Sequence, residues 1–173
     1  MKVKLKDLSI DEKILLLTGK NHWSTHDLGG KLTSVFMADG PHGLRKQDET
    51  GKTIRVTAMP NISVLANTWN KELAYLDGAT IADDCIEHDV DILLAPGVNI
   101  KRTPLNGRNF EYFSEDPFLA GTLAKSYIEG VQDRGVGTSL KHFCANNREY
   151  DRLYQSNEIE KSRTRLGNYT TPT

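Results

Sequence analysis

Three polar clusters in this sequence contain residue types that could bind a small hydroxylated molecule. Lys141 and His142 come directly after the apolar run VGTSL, and Asn, Arg, Glu and Asp residues crowd the next ten positions. Asp39 ends the run SVFMAD, ahead of a Gly-Pro turn. The third cluster is the loop of residues 101–115, in which Arg108 follows a glycine. A carboxylate can accept two hydroxyl hydrogen bonds, as from a sugar diol, and a packed arginine can face a ligand with its donor fork.

Each cluster also has a purely structural interpretation, and the residues alone leave both open. An Asp-Gly pair such as Asp39 and Gly40 commonly forms a turn. A charged loop is usually just solvated, although Phe110, Tyr112 and Phe113 are unusual companions in a solvated loop. A histidine in a strand is more often a satisfied core residue than a ligand-binding one.

The adjacent pair Lys141 and His142 poses a geometric question. Consecutive residues of a regular strand point to opposite faces, so both side chains cannot line the same mouth. We therefore expect either a bend in the strand or an unusual peptide between the two residues, as occurs at some functional sites. The alternative is one inward-facing residue and one core residue.

The apolar runs alternate with helical patterns. Predicted helices begin at the capping residues Ser9, Asn70 and Asp116, and the last of these is followed by a proline at the first helical position. Predicted strands occupy residues 34–40, 61–68, 90–97 and 136–140, of which 61–68 is the weakest. This alternation is typical of an α/β fold with a parallel sheet. Ligands of such folds bind at the carboxyl ends of the strands, where all three polar clusters fall.

Composition narrows the class of protein. The 173 residues carry a net charge of -1 without a long basic run, so neither a nucleic-acid nor a membrane partner is expected. No window approaches the roughly 20 apolar residues of a membrane span, and the first residues do not resemble a secretory leader. Cytoplasmic localisation is therefore expected, with Cys85 and Cys144 as free, buried thiols. Motifs of P-loop, zinc and serine hydrolases are missing, and we expect no metal and no cofactor.

Four blocks of the sequence together resemble a known family. They closely resemble the N-terminal domain of bacterial β-glucosidases in family 3 of the glycoside hydrolases, and the likeness runs from about Leu5 to about Ser156. The four blocks are DEKILLLTGKNHW, DGPHGLRKQ, LLAPGVNIKRTPLNGRNFEYFSEDP and GVQDRGVGTSLKHFCANN. The segment FCANN after the lysine-histidine pair resembles the glucosidase and xylosidase branch rather than the hexosaminidase branch.

The resemblance implies a fold, an activity and a set of site residues. Members of the family have a (β/α)₈ TIM-barrel domain and hydrolyse terminal non-reducing β-glycosides with retention, using two carboxyl groups. Carried over by position, the substrate-binding residues are Asp39, Arg108, Lys141, His142 and Arg152. The implied partner is a β-glucoside or oligosaccharide, with carbohydrate metabolism as the setting. Nothing in the sequence indicates an oligomeric state.

Two departures from the family pattern shape the expectation for this chain. The nucleophilic aspartate of the family lies in a Ser-Asp-Trp segment, which is absent here, and the acid/base glutamate belongs to a later domain. A complete barrel needs about 250 residues. We therefore expect residues 1–156 to form a partial (β/α)₈ barrel domain and residues 157–173 to be a divergent tail of a truncated, frame-shifted or fragmentary sequence. Such a chain should be inactive alone.

Three alternatives remain from the sequence. The chain could be an inactive carbohydrate-binding remnant that uses the same five residues without chemistry. The full-length protein could prefer β-xylosides to β-glucosides. A Schiff-base aldolase with Lys141 as its nucleophile is the third, and the surrounding blocks argue against it.

Overall fold

A three-stranded parallel sheet forms the centre of the fold. The computed structural model describes residues 3–154, 162–164 and 167–169. The strands β1 (Met37–Asp39), β2 (Ile92–Leu94) and β3 (Gly137–Thr138) pair side by side in that order, all parallel. Asp39 pairs with Leu94, so the carboxyl ends of β1 and β2 lie level. The predicted α/β class with a parallel sheet is confirmed.

Helices connect and cover the strands. Helix α1 (Ile10–Leu16) precedes β1, while α2 (Ile62–Ala66) and α3 (Lys71–Glu87) lie between β1 and β2. Helix α4 (Pro117–Gln132) lies between β2 and β3. Short 3₁₀ turns occur at Leu5–Asp7, Asn109–Glu111 and Arg152–Tyr154, and an antiparallel pair follows, β4 (Ser162–Thr164) with β5 (Gly167–Tyr169). The predicted boundary between residues 156 and 157 lies outside the described residues.

The three predicted helices begin where their capping residues indicated. Ser9 and Glu12 form a reciprocal capping box at the start of α1. The Asn70 side chain accepts hydrogen bonds from the first turn of α3, and Asp116 does the same for α4 ahead of Pro117. These side chains satisfy backbone N–H groups that have no partner inside the helix.

The predicted strand at residues 61–68 is wrong, because this segment forms helix α2. The Asn61 side chain accepts a hydrogen bond from the backbone N–H of Ser63 at 2.8 Å and so acts as a helix cap. The buried residues of α2 are Ile62, Leu65 and Ala66, a helical spacing rather than an alternating one. The local cap and the packing of these residues determine the helix.

Helices α3 and α4 pack closely at two glycines. A Cβ atom on Gly78 would lie 2.2 Å from the carbonyl oxygen of Tyr127, and one on Gly130 would lie 2.1 Å from that of Tyr75. Neither distance is sterically allowed, so glycine is required at both crossings. The resulting core contains apolar side chains from the helices and the strands, among them Ile62, Ala74, Ile81, Leu93, Leu123, Tyr127 and Val131.

The two outer edges of the sheet differ. Beside β1 runs an earlier segment of the chain, in which the carbonyl of Trp23 accepts a hydrogen bond from the backbone N–H of Met37 at 2.7 Å. No strand within the described part of the chain pairs with the outer edge of β3. Next to β3 lies an apolar groove that Val98, Ile100, Ala120, Ala124, Ile128 and Leu140 line.

The described residues contain no helix long and apolar enough to cross a membrane.

The cysteine prediction is half right. Both cysteines are free thiols, and Cys85 is buried in α3. Cys144 is exposed instead, because it lies in the polar segment that follows β3 rather than in the core. Burial raises the pKa of the Cys85 thiol to about 12.

Candidate functional site

The candidate site lies where the parallel strands end. Asp39 is the last residue of β1, and the loop after β2 carries the 3₁₀ turn Asn109–Glu111. Lys141 follows β3 and forms an isolated β-bridge with Gly97, which follows β2. Three separate loops therefore meet at one end of the sheet, as the sequence predicted for a ligand site in a parallel fold.

Lys141 and Asp39 form the closest ion pair between these loops. The Lys141 ammonium donates a hydrogen bond to Asp39 Oδ1 at 2.6 Å, and it lies 3.9 Å from Glu111 Oε2. The Lys141 side chain is 14% exposed and that of Asp39 is 32% exposed. An ammonium has three N–H donors, so two remain after the bond to Asp39. The pair is half-sequestered and still has hydrogen-bonding capacity for a ligand.

Arg108 contacts a residue of its own loop and two residues of the loop that follows β3. Its Nε donates to Glu111 Oε1, and its Nη2 lies 3.0 Å from His142 Nε2. Its Nη1 also lies 3.5 Å from a carboxylate oxygen of Glu149. A guanidinium has five N–H donors, which leaves two for a ligand. Burial lowers the pKa of Arg108, but the hydrogen bond and the charge of Glu111 raise it, and the net direction is upward.

The contacts of His142 define its protonation. Arg108 can only donate, so His142 Nε2 must accept and the ring proton must be on Nδ1. That Nδ1–H faces the Tyr112 hydroxyl oxygen at 2.9 Å. Burial lowers the pKa of His142, and the charges of Arg108 and Lys141 lower it further. His142 is therefore neutral at neutral pH, and both of its ring nitrogens have protein partners.

Further contacts hold the histidine in place. The side-chain oxygen of Asn99 accepts a hydrogen bond from the backbone N–H of His142 at 2.8 Å. The amide of Asn146 donates to the Tyr112 hydroxyl at 2.8 Å. Tyr112 is fully buried, so this hydroxyl lies at the base of the site rather than at its surface.

Lys141 and His142 both reach the same cluster. The peptide bond between them is cis, and their side chains contact Asp39 and Arg108 respectively. The sequence left open a bend in the strand or an unusual peptide between the two residues, and the structure has a cis peptide there.

Arg152 lies further out than the other four predicted residues. Its side chain is 53% exposed, and its Nη1 is 3.6 Å from Glu149 Oε2. Because Glu149 also contacts Arg108, Arg152 joins the cluster through this shared carboxylate. Asp39, Arg108, Lys141 and His142 are thus brought together, whereas Arg152 stands at the rim.

Sequence reasoning did not identify Glu111 as part of the cluster. Its side chain is only 6% exposed and lies between Arg108 and Lys141. Its position three residues after Arg108, where one helical turn brings two residues together, was an available signal. Nothing local indicates that Lys141, from another loop, would come within 4 Å of it.

A cavity of about 430 Å³ opens beside Asp39. Its lining includes Arg45, Phe36 and Trp23, and the residue Trp23 is 45% exposed. Trp23 is accessible because its segment runs along the outer edge of β1. The Phe110 ring lies 5.6 Å from that of His42.

His42 is a half-buried neighbour of this cluster. Its Nε2 is buried and has no hydrogen-bond partner. Burial lowers the pKa of His42, while the charge of Glu111 raises it. Within the described residues, no group of three His, Cys, Asp or Glu side chains could hold a metal ion.

Comparisons with known proteins give a consistent picture. The sequence model described as the N-terminal domain of glycosyl hydrolase family 3 matches residues 29–172. An exo-α-(1→6)-L-arabinopyranosidase of Bifidobacterium longum is 48% identical over 157 residues, which is 86% of this chain and 21% of that protein. The thermostable β-glucosidase B of Acetivibrio thermocellus is 47% identical over 158 residues, with the same coverage of each.

Solved structures agree with the sequence matches. A family 3 β-glucosidase of Bifidobacterium adolescentis superposes with a TM-score of 0.82 at 45% identity, covering 88% of this chain and 22% of that one. The β-glucosidase 3B of Thermotoga neapolitana, solved with glucose, gives a TM-score of 0.77 at 41% identity, with 84% and 23% coverage. This chain spans about a fifth of the length of the curated relatives it matches.

Proposed function

This chain belongs to glycosyl hydrolase family 3, and on that premise we propose that it is the sugar-binding part of a retaining β-glycosidase of the β-glucosidase type. The observation that carries the proposal is the meeting of Asp39 and Lys141 at the ends of β1 and β3. A carboxylate with a free oxygen beside an ammonium with two free N–H groups matches the alternating donors and acceptors of a sugar diol.

Each predicted residue then has a role that its contacts allow. Asp39 Oδ2 accepts from a sugar hydroxyl, and Lys141 donates to the neighbouring one. The two free N–H groups of Arg108 donate to hydroxyls on the other side of the ring. His142 holds Arg108 in place through Nε2. Arg152 closes the rim over a larger glycoside. Bonds to charged groups are strong enough to replace the water that each hydroxyl loses.

The bound ring would then be held for chemistry by other segments. In a retaining glycosidase one carboxylate attacks the anomeric carbon, and a second carboxyl protonates the leaving oxygen and later activates water. Neither group is assigned within residues 1–173, and no Ser-Asp-Trp segment occurs there. Binding energy from Asp39, Lys141 and Arg108 can be used to distort the ring toward its oxocarbenium-like transition state.

The fold that we propose is the first part of a (β/α)₈ barrel. Its strands would continue from β3, whose outer edge has no strand partner within the described residues. The apolar groove beside β3 would receive the next helix of the barrel. An open edge beside an apolar groove is a surface that folded proteins normally cover.

The substrate that we propose is a terminal non-reducing β-D-glucosyl residue, with a β-xyloside as the second choice. Several relatives carry the name β-glucosidase, and an arabinopyranosidase is equally similar. The alternative is an inactive remnant, in which the same residues bind a sugar but no nucleophile hydrolyses it. A cytoplasmic location, and the lack of nucleic-acid or membrane partners, belong to this proposal.

A chimaeric enzyme tests the proposal. Residues 29–154 of this chain replace the matching segment of the Bifidobacterium adolescentis β-glucosidase, which then supplies the remaining segments. We expect hydrolysis of nitrophenyl β-D-glucoside, and at least about a tenfold loss of kcat/KM in Asp39→Asn because a charged hydrogen bond is lost. The 173-residue chain by itself should give no turnover.

Two comparisons make the result decisive. Asp83→Asn, at an exposed position of α3, should leave the rate of the chimaera unchanged. Parallel assays with nitrophenyl β-D-xyloside and α-L-arabinopyranoside show which sugar the chimaera hydrolyses fastest. A chimaera that melts cooperatively but hydrolyses none of the three would contradict the proposal.

A further inference from the structure

Glu111 is the most buried charged group of the site. Its side chain is 6% exposed, compared with 14% for Lys141, 21% for Arg108, 29% for Glu149 and 32% for Asp39. One of its oxygens accepts from Arg108 Nε, and the other lies 3.9 Å from Lys141 Nζ. A single carboxylate therefore contacts two cations that come from different loops.

Two neighbouring cations at this end of the sheet require a negative charge close to both of them. Arg108 and Lys141 both carry positive charge at one end of the sheet, and partial burial strengthens their mutual repulsion. Asp39 and Glu149 offset part of it, but each contacts only one of the two cations and each is more exposed than Glu111. Glu111 is the carboxylate that binds both.

We infer that Glu111 is a positioning residue, which fixes Arg108 and Lys141 so that their remaining N–H groups converge on one sugar ring. This inference rests on the proposed sugar-binding function. Glu111 does not itself touch the sugar, since both of its oxygens face protein cations. It acts through the two residues that do.

The electrostatics of the neighbouring histidines agree with this placement. His42 and His142 both have a lowered pKa because of burial, and the charge of Glu111 raises the pKa of each. The other charged groups that act on His142 are Arg108 and Lys141, which lower its pKa, and Asp39, which raises it. His142 therefore reports the charge at Glu111 without contacting it.

The test uses NMR on the full chain and its Glu111→Gln variant. Glutamine keeps the acceptor for Arg108 and removes the charge, so the pKa of a folded variant's His142 should fall below its wild-type value. An unfolded variant would raise it toward the value of a free histidine, and the two outcomes therefore differ in sign. Glucose binding, followed by saturation-transfer NMR, should weaken about tenfold or more.

A matched control and a measurement on the wild type complete the design. Glu115→Gln, four residues later and exposed, should leave both the His142 pKa and glucose binding unchanged. In the wild type, the Arg108 Nε–H should exchange with water far more slowly than that of Arg55, which is exposed in a loop and has no carboxylate partner among the described ion pairs. This readout does not depend on whether the Gln variant folds.

The outcomes separate the inference from the proposed function. If the wild-type chain shows no glucose signal, the proposed function fails, and the His142 pKa and the Arg108 exchange rate still decide the role of Glu111. An unchanged His142 pKa in folded Glu111→Gln, or fast exchange of Arg108 Nε–H in the wild type, would overturn the inference. Loss of glucose binding together with a lower His142 pKa supports both.

Discussion

The charged atoms of Lys141 and Asp39 are 2.6 Å apart, although 102 positions separate the two residues in the sequence. Parallel pairing accounts for this proximity. Because β1, β2 and β3 run in the same direction, the loops that follow them lie at the same end of the sheet. A measurable interaction between Lys141 and Asp39 would therefore show that the loops after β1 and β3 meet in solution.

A double-mutant cycle should detect this pair. Asp39→Asn, Lys141→Met and the double variant should give a coupling of about 1–2 kcal/mol in the free energy of unfolding, because the pair is partly buried and hydrogen-bonded. Urea unfolding of the four proteins measures it. The exposed pair Lys125–Glu129, at 3.5 Å, is the control and should couple by about 0.3–0.5 kcal/mol. Equal coupling in the two cycles would show that the loops do not meet as described.

The protonation of His142 gives a second prediction. Nitrogen chemical shifts should show a neutral ring with its proton on Nδ1 and a pKa below 6.5. The unfolded state then binds more protons than the folded state at mildly acidic pH, so stability should fall as the pH drops below about 6.5. The pKa of His42 is also lowered, so His142→Gln should remove only part of this loss of stability.

Tyr112→Phe probes the same histidine from its other side. The variant removes the acceptor of the Nδ1–H and keeps the ring, and we expect it to cost about 1–3 kcal/mol of unfolding free energy. The proton should stay on Nδ1, because Arg108 still excludes it from Nε2. A proton found on Nε2, in wild type or variant, would contradict the arrangement at Arg108.

Asp77 should make the chain less stable at high pH. Its side chain is buried in α3, neither carboxylate oxygen has a hydrogen-bond partner, and burial raises its pKa from 3.8 to about 7. The folded state thus keeps a proton that the unfolded state has lost, and stability should fall between about pH 4 and pH 7, by about 4 kcal/mol at most. Asp77→Asn should remove this slope and be the more stable protein at pH 8.

The control for Asp77 is on the same helix. Asp83, whose side chain is 55% exposed and lies 3.5 Å from Arg134, should change the pH profile little when replaced by Asn. Identical profiles for the wild type and Asp77→Asn would show that Asp77 has a partner in solution.

The glycines of the two long helices should respond oppositely to alanine. Gly78→Ala and Gly130→Ala place a methyl group against backbone oxygens at the crossing of α3 and α4, and should cost several kcal/mol. Gly121→Ala in α4 meets nothing within 4 Å and should instead stabilise by about 0.5–1 kcal/mol, the helix-propensity difference. Thermal melts of the three variants measure these changes in stability. A stable Gly130→Ala protein would mean that the helices do not pack at this distance.

Local signals made the helices predictable. Ser9, Asn70 and Asp116 cap α1, α3 and α4 through bonds to residues two or three positions away, which sequence alone displays. Helix α2 was predicted as a strand, because a short apolar run alone does not distinguish the two. Its cap at Asn61 and its burial against other elements decide the outcome.

Strand ends and residue types indicated part of the candidate site, and the family resemblance supplied the full set of five residues. Asp39 and Lys141 stood at the ends of predicted strands, and the parallel pattern already placed them together. The burial of Glu111 depends on cations from two loops, and the placement of Arg152 depends on Glu149. Such properties arise from contacts between distant segments, which no local pattern records.

The unequal surroundings of the two cysteines offer a practical tool. Cys144 is exposed two residues beyond His142, whereas the buried Cys85 keeps its thiol protonated. A maleimide dye should therefore attach to a single position beside the strand ends without any engineered mutation. Its emission would then test in real time whether a sugar binds at this end of the sheet.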